Sequence, residues 1–483
     1  MQSIKERVKI QYEFLMKGLL LFLLVFIPFR NILETLLGTY IKLIPDIAIL
    51  LLILFFPILY KEKIKIKSYD ICLGMFLLVA FINTVFIQQI GITLYIFEVR
   101  SIIIYYLLFF VIRNFEFSSK YKLLLCKVIR YITYILFVLG LVEKLSRKTV
   151  LFPKSVADSI IYEDNFARVY SMFFNPNTYG AFLVLSFFIV LYFEKKQLLM
   201  YKITVMVSLL LSMSRSSILL LIIFLVMYAV VIERKTILKN KIKVCGQVLF
   251  VLLVSLSCYT VCEYTADKFW TAKQEKSQEY VVDADVKIAK KVGEDAGNTA
   301  GSSTATKQNG EAESNTQGET EQVQTPVKEK TTTVYDRIGE LNTEEIVEKS
   351  QTDGRLFFLM KGIEIFKDYP ILGTGFGTYG SAASMNWEPP IYEEYGLPYG
   401  FYADNEYIKD LVETGLVGVI LFGAFLLSIL YGYRARHFAV LFCIAIGWFG
   451  LFYNVFEVQI VAYLLWILLG IESKRNENEK DRI

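Results

Sequence analysis

Polar residues break the hydrophobic sequence into apolar runs near 14–29, 41–60, 70–90, 94–112, 121–141, 177–193, 198–213, 215–232, 243–264, 405–431, 436–452 and 455–471. Each approaches the ~20 residues a helix needs to cross the hydrocarbon core of a bilayer. The pattern therefore predicts an all-α integral membrane protein of twelve spanning helices, with the least marked divisions at 213–215 and 452–455. No internal repeat and no heptad seam is visible.

The basic residues orient these helices. Lys5, Arg7 and Lys9 precede the first run, Lys61, Lys63, Lys65 and Lys67 follow the second, and Arg113, Lys120 and Lys122 follow the fourth. Lys195, Lys196 and Lys202, then Arg234, Lys235, Lys239, Lys241 and Lys243, then Arg434, Arg436, Lys474 and Arg475 keep the same parity. Short loops rich in Lys and Arg stay in the cytoplasm. Both termini are thus expected inside, and the protein is expected in the cytoplasmic membrane. The predicted layout is a membrane block 1–264 of nine helices, an extracytoplasmic loop 265–403, a three-helix block 404–471 and a cytoplasmic tail 472–483.

The outer loop has two characters. Residues 271–333 are rich in Glu, Lys, Gln, Thr, Gly and Ser with almost no aromatics, which predicts disorder. From Gly354 to Phe366 apolar residues recur at helical spacing until Pro370, which predicts an amphipathic helix lying on the membrane surface.

Composition narrows the picture. Of 483 residues 55% are hydrophobic and 15% aromatic, and the mean hydropathy is +0.46, which excludes an ordinary soluble fold. The net charge of +4 is spread over loops, with no basic, aromatic-interleaved patch, so nucleic acid is not an expected partner. Cys72, Cys126, Cys245, Cys258, Cys262 and Cys443 fall almost entirely inside apolar runs, so neither a disulfide framework nor a metal site is expected. His437 is the sole histidine, which removes the usual zinc sets and any His-based triad. The basic N-terminus leads into a long apolar run without a small-residue cleavage site, so it is read as a first spanning helix.

Ionisable residues at membrane depth are costly and mark candidate sites. Ser212-Met213-Ser214-Arg215-Ser216-Ser217 lies between two runs at the expected outer face, either as a polar turn with a snorkelling arginine or as part of a site. Glu98 and Arg100 are two positions apart, so they face different sides and are expected to pair with other helices. Asp46 and Glu457 are read as solvated at the interface, and Arg130 as snorkelling. Arg168 precedes Asn175-Pro176-Asn177, whose Asn and Pro suit a helix entry; that need does not explain Arg168. Gly373-Thr374-Gly375-Phe376-Gly377-Thr378-Tyr379 follows a helix and lacks the P-loop lysine, so it is not read as a nucleotide cradle. Asp404-Asn405-Glu406-Tyr407 opens the tenth run, with Asp404 suited to cap it, ahead of Glu413-Thr414-Gly415.

In this order, Asn175-Pro176-Asn177, Ser214-Arg215-Ser216, the Gly354-Arg355 helix with Gly373-Thr374-Gly375-Phe376-Gly377, and Asp404-Asn405-Glu406-Tyr407 with Glu413-Thr414-Gly415 resemble the O-antigen polymerase and ligase superfamily over about 165–425. The resemblance implies a GT-C-like, metal-independent membrane glycosyltransferase that needs no cofactor. Its donor and acceptor would be glycans on undecaprenyl pyrophosphate, and its partners the bilayer, a chain-length regulator and a flippase. A departing lipid pyrophosphate develops negative charge, which Arg215, Arg355 and Arg168 would stabilise. Asp404 would act as base toward the acceptor hydroxyl, oriented by Asn405 and Glu406, with Asn177, Gly375, Gly377 and Tyr379 contacting substrate. Family ligases look to carry His where Asp404 stands, so the resemblance points first to a capsular or exopolysaccharide repeat-unit polymerase. A ligase that moves finished glycan to an acceptor stays open. So does a lipid-linked sugar flippase, for which broken helices near the midplane would be expected.

Overall fold

The computed structural model describes residues 2–146, 148, 150–151, 168–194, 198–232, 234–240, 242–269 and 354–474. All twelve apolar runs form helices. The first ten are α1 (Gln2–Leu37), α2 (Ile44–Tyr60), α3 (Ser68–Ile82), α4 (Ile92–Ile112), α5 (Ser119–Ser146), α6 (Pro176–Phe193), α7 (Leu199–Ser212), α8 (Arg215–Val231), the short α9 (Arg234–Lys239) and α10 (Ile242–Phe269). Then come α11 (Arg355–Asp368), the single-turn α12 (Ile391–Tyr395), α13 (Glu406–Gly432), α14 (His437–Gly450) and α15 (Gln459–Glu472). Eight of these are long and apolar enough to cross a membrane, while α7, α8, α14 and α15 are shorter apolar helices. The chain is a multi-pass membrane protein.

The chain divides into two compact units, residues 1–259 with 334–483 and residues 260–333. Of the second only 260–269, the end of α10, are described, so the expected disorder of 271–333 lies outside the described residues.

Unlike a soluble bundle, this one is apolar on the outside as well as in its core. Ile47, Leu50, Leu54 and Ile58 on α2 are exposed, as are Ile71, Met75 and Leu78 on α3, which suits a hydrocarbon solvent. By contrast α6 is buried from Tyr179 to Val190 and α15 from Ile460 to Glu472, so these two helices form the centre of the bundle. α15 packs on α4, where Gly470 leaves room for Ile112, the small-residue contact that membrane helix packing favours.

At one end of the bundle Arg113 binds Asp70 and the Lys65 carbonyl, Ser473 donates to the Arg113 carbonyl, and Arg436 donates to the Ser473 carbonyl. The basic stretches near Lys65, Arg113 and Arg436 thus meet at a common end, beside Ser473. At the opposite end Arg100 Nε donates to Asp46 at 2.5 Å and Lys409 binds both Glu98 and Glu457. Glu98 and Arg100 pair with other helices, as their spacing required. Asp46 and Glu457, expected to be solvated, are instead 6% exposed and ion-paired, respectively, and Arg130 binds Glu194 at 2.8 Å rather than snorkelling. In each case a partner on a distant helix replaces water, which local sequence does not show.

α13 is not one continuous helix. Gly415 adopts φ 60°, ψ −165° and breaks it. Broken backbone inside a membrane must find protein partners, and the segment after Pro370 supplies them. Thr374 and Gly375 donate their amides to the Val412 and Glu413 carbonyls at 2.9 and 3.0 Å, and Leu416 and Val417 donate to the Pro370 and Ile371 carbonyls at 2.9 and 3.1 Å. A Cβ at Gly373, whose φ is +75°, would sit 2.5 Å from the α13 backbone, so the close approach requires glycine.

The amphipathic helix appears as α11, and it packs on α13 through Phe358, Gly362 and Ile365. Phe358 stacks on Phe401 at 4.4 Å, and with Tyr392, Leu397, Ala403 and Val412 these side chains make a small core outside the spanning bundle. Burying each large apolar side chain contributes roughly 1.5–3 kcal/mol. That core fixes the two flanking segments, Arg355 at the start of α11 and Asp404 just after Ala403.

Candidate active site

Arg355 and Asp404, far apart in sequence, meet in an ion pair, Nε to Oδ2 at 3.0 Å. Their side chains stay 47% and 34% exposed, so a substrate can reach both. Asp404 holds a left-handed backbone, φ 50°, a region that Asp enters more readily than most residues with a side chain. It is clamped on both sides: Ala403 N donates to the Gly380 carbonyl at 2.9 Å, and Asn405 caps α13 by accepting from Ile408 N at 3.0 Å. The cap expected at Asp404 therefore belongs to Asn405, which leaves the Asp404 carboxylate for Arg355. Burial pushes the Asp404 carboxyl above its ordinary value, and the Arg355 guanidinium partly offsets this.

The second arginine arrives from a different pair of helices. Ser214 is the residue before α8 and Arg215 is its first, exposed, position. Ser214 Oγ lies 2.9 Å from Ser217 Oγ, and Ser216 Oγ lies 2.6 Å from the Tyr453 hydroxyl. The Arg355 guanidinium carbon stands 5.8 Å from the centre of the same Tyr453 ring. Tyr453 thus touches both arginine-bearing segments.

Arg215 and Arg355 each open a helix whose first turn holds no acidic residue. A helix N-terminus already carries partial positive charge, so an arginine there is disfavoured for the helix itself. Both helix N-termini are held against the same Tyr453 side chain.

Arg168 lies behind this surface. It is 7% exposed, donates from Nε to the Ser212 carbonyl at 3.0 Å and from a terminal nitrogen to Asn177 Oδ1 at 2.6 Å. Asn175 accepts from the amides of Asn177 and Thr178 to start α6, and Gly180 admits the serine turn, since a Cβ there would lie 2.5 Å from Ser217 Oγ. Arg168 and Asn177 therefore fasten the Ser212–Ser217 turn to α6.

The glycine-rich segment is also wall. Gly375, Gly377 and Tyr379 are buried, with the Gly375 amide on the Glu413 carbonyl, the Tyr379 amide on Glu413 Oε1 at 2.9 Å and the Tyr379 hydroxyl on the Phe358 carbonyl. These bonds use the Gly375 and Tyr379 amides to hold the segment against the break in α13.

Glu406 is 1% exposed and lies 3.0 Å from Lys409 Nζ, which also binds Glu98 and Glu457 at 2.9 Å each. Glu406, expected to orient Asp404, is thus held in this buried frame, where it also accepts from Phe456 N at 3.3 Å. The sequence reading missed Lys409 and Tyr453 as participants. Lys409 carried a signal, an ionisable residue inside the 405–431 run; Tyr453 had only its place at the weak 452–455 division.

Residues 200–423 match a family model described as O-Antigen ligase. A 92-residue stretch is 36% identical to the Exopolysaccharide production protein ExoQ of Rhizobium meliloti (strain 1021), covering 18% of this chain and 20% of that protein. The chain thus spans about a fifth of the length of this curated relative. The matched span holds the Ser214-Arg215-Ser216 turn, Arg355, the glycine-rich segment and Asp404, so the part of this multi-pass membrane protein that carries the candidate site is the part similar to the O-antigen polymerase and ligase superfamily.

Proposed function

We propose that the protein polymerises oligosaccharide repeat units carried on undecaprenyl pyrophosphate, at the outer face of the cytoplasmic membrane. The observation that carries this reading is the accessible Arg355–Asp404 pair beside a second arginine-led helix end. In the proposed step the bond from the sugar's anomeric carbon to the pyrophosphate oxygen breaks, and the electron pair leaves with the pyrophosphate. The bond from that carbon to an acceptor hydroxyl forms, and the hydroxyl proton passes to Asp404. Burial raises the basicity of Asp404, which suits it to this role. Proton uptake cancels its charge and releases Arg355 toward the leaving pyrophosphate, where Arg215 would share the load. The common end of the basic loops supports an opposite, outward-facing site.

The description of the matched family favours transfer of finished glycan as a second reading. A break in α13 is what a transporter would show, but here the Val412 and Glu413 carbonyls and the Leu416 and Val417 amides are bonded to residues 370–375. Lipid-linked glycans sized from a deletion strain separate the three. Accumulation of single repeat units identifies a polymerase and accumulation of long chains a ligase. Glycan retained inside would sink both and favour transport.

A further inference from the structure

We infer that Tyr453 is a positioning residue of this site, locking the two arginine-led helix ends into one anion-stabilising unit; the inference rests on the glycosyl-transfer reading above. Tyr453 lies in the turn between α14 and α15, outside the matched span 200–423, and is 6% exposed. Its two polar faces serve different segments. The ring carries the Arg355 guanidinium at 5.8 Å, within cation–π range, and the hydroxyl bonds Ser216 Oγ at 2.6 Å. Ser216 follows Arg215 and also lies 3.4 Å from Ser214 Oγ, so this bond sets the first turn of α8 against the start of α11.

The turn itself is immobilised. Asn405 Nδ2 donates to the Leu451 carbonyl at 3.2 Å, and Asn454 Nδ2 donates at 3.0 Å to the Gly380 carbonyl that also receives Ala403 N. Phe456 N donates to Glu406 at 3.3 Å, and Glu457 receives Lys409. The chain on either side of Asp404 is therefore tied to the turn that presents Tyr453. A ring alone would fill the space; the hydroxyl is what joins α8 to the pair.

Positioning of this kind acts when charge develops on the leaving pyrophosphate, so it lowers kcat more than it changes KM. The test is turnover by the full chain in proteoliposomes, using lipid-linked repeat units extracted from the deletion strain. Variants are Tyr453→Phe, Ser216→Ala and the double, with thermal melting as a fold control. Each single variant is expected to lose about two- to tenfold in kcat, the worth of one hydrogen bond, with KM within about twofold. The double should be no worse than either single, because all three cut the same bond. Single variants at wild-type kcat, or losses that multiply in the double, overturn the inference and leave the polymerase reading intact. Folded wild-type protein that converts none of these units removes that reading and the inference with it.

Discussion

Asp404 and Lys409 lie within two turns of the same helix start, yet they use charge in opposite ways. Lys409 is fully buried and bound by three carboxylates, Glu98, Glu406 and Glu457, at 2.9–3.0 Å. Asp404 is one-third exposed, holds one arginine and keeps hydrogen-bonding capacity to spare. The first is dry and enclosed, which makes it architecture. The second is accessible and under-committed, which is what the proposed catalytic base requires. At membrane depth the type of ionisable residue says little; what separates frame from candidate site is access.

The sharpest way to break this comparison is to empty the frame. Lys409→Leu leaves three carboxylates without their cation, a loss of roughly 3–5 kcal/mol, so the protein is expected to melt far earlier in detergent or fail to accumulate. Next is Gly415→Val, which forces a β-branched residue into φ 60° with its Cβ about 2.5 Å from the Ile371 backbone; a loss of roughly 1–3 kcal/mol is expected by the same melting assay. Arg355→Met should change stability by less than about 1 kcal/mol, as for other exposed pairs. It should shift the pH profile instead. Asp404 must be ionised to act as base, so activity falls as pH drops through its pKa. Arg355 holds that pKa down, so its loss moves the acid limb to higher pH, measurable as kcat/KM against pH. The smallest effect is expected from removing 271–333, whose composition predicts no packed structure, with polymer length and yield largely retained.

The helices were legible because bilayer length and apolar runs leave few alternatives, and all twelve formed. The break at Gly415 was not legible, since Leu416-Val417-Gly418-Val419-Ile420 resumes the apolar run without a gap. Only the returning 370–375 segment makes the break tolerable, and that is a long-range event. The same holds for Arg168: the sequence marked it as needing explanation, and the explanation, the Ser212 carbonyl and Asn177, required the folded chain. Arg355 and Asp404 were readable singly by the outer placement expected of them, whereas their pairing depended on the small core of Phe358, Phe401 and Val412.

The most direct test pairs chemistry with folding in one preparation: turnover of lipid-linked repeat units and thermal melting of Asp404→Asn beside wild type. A site built on Asp404 predicts a rate loss of about 10²–10⁴-fold with the melting temperature essentially unchanged. Asp404→Asn that polymerises at the wild-type rate, or that loses activity only in step with its fold, would contradict the account.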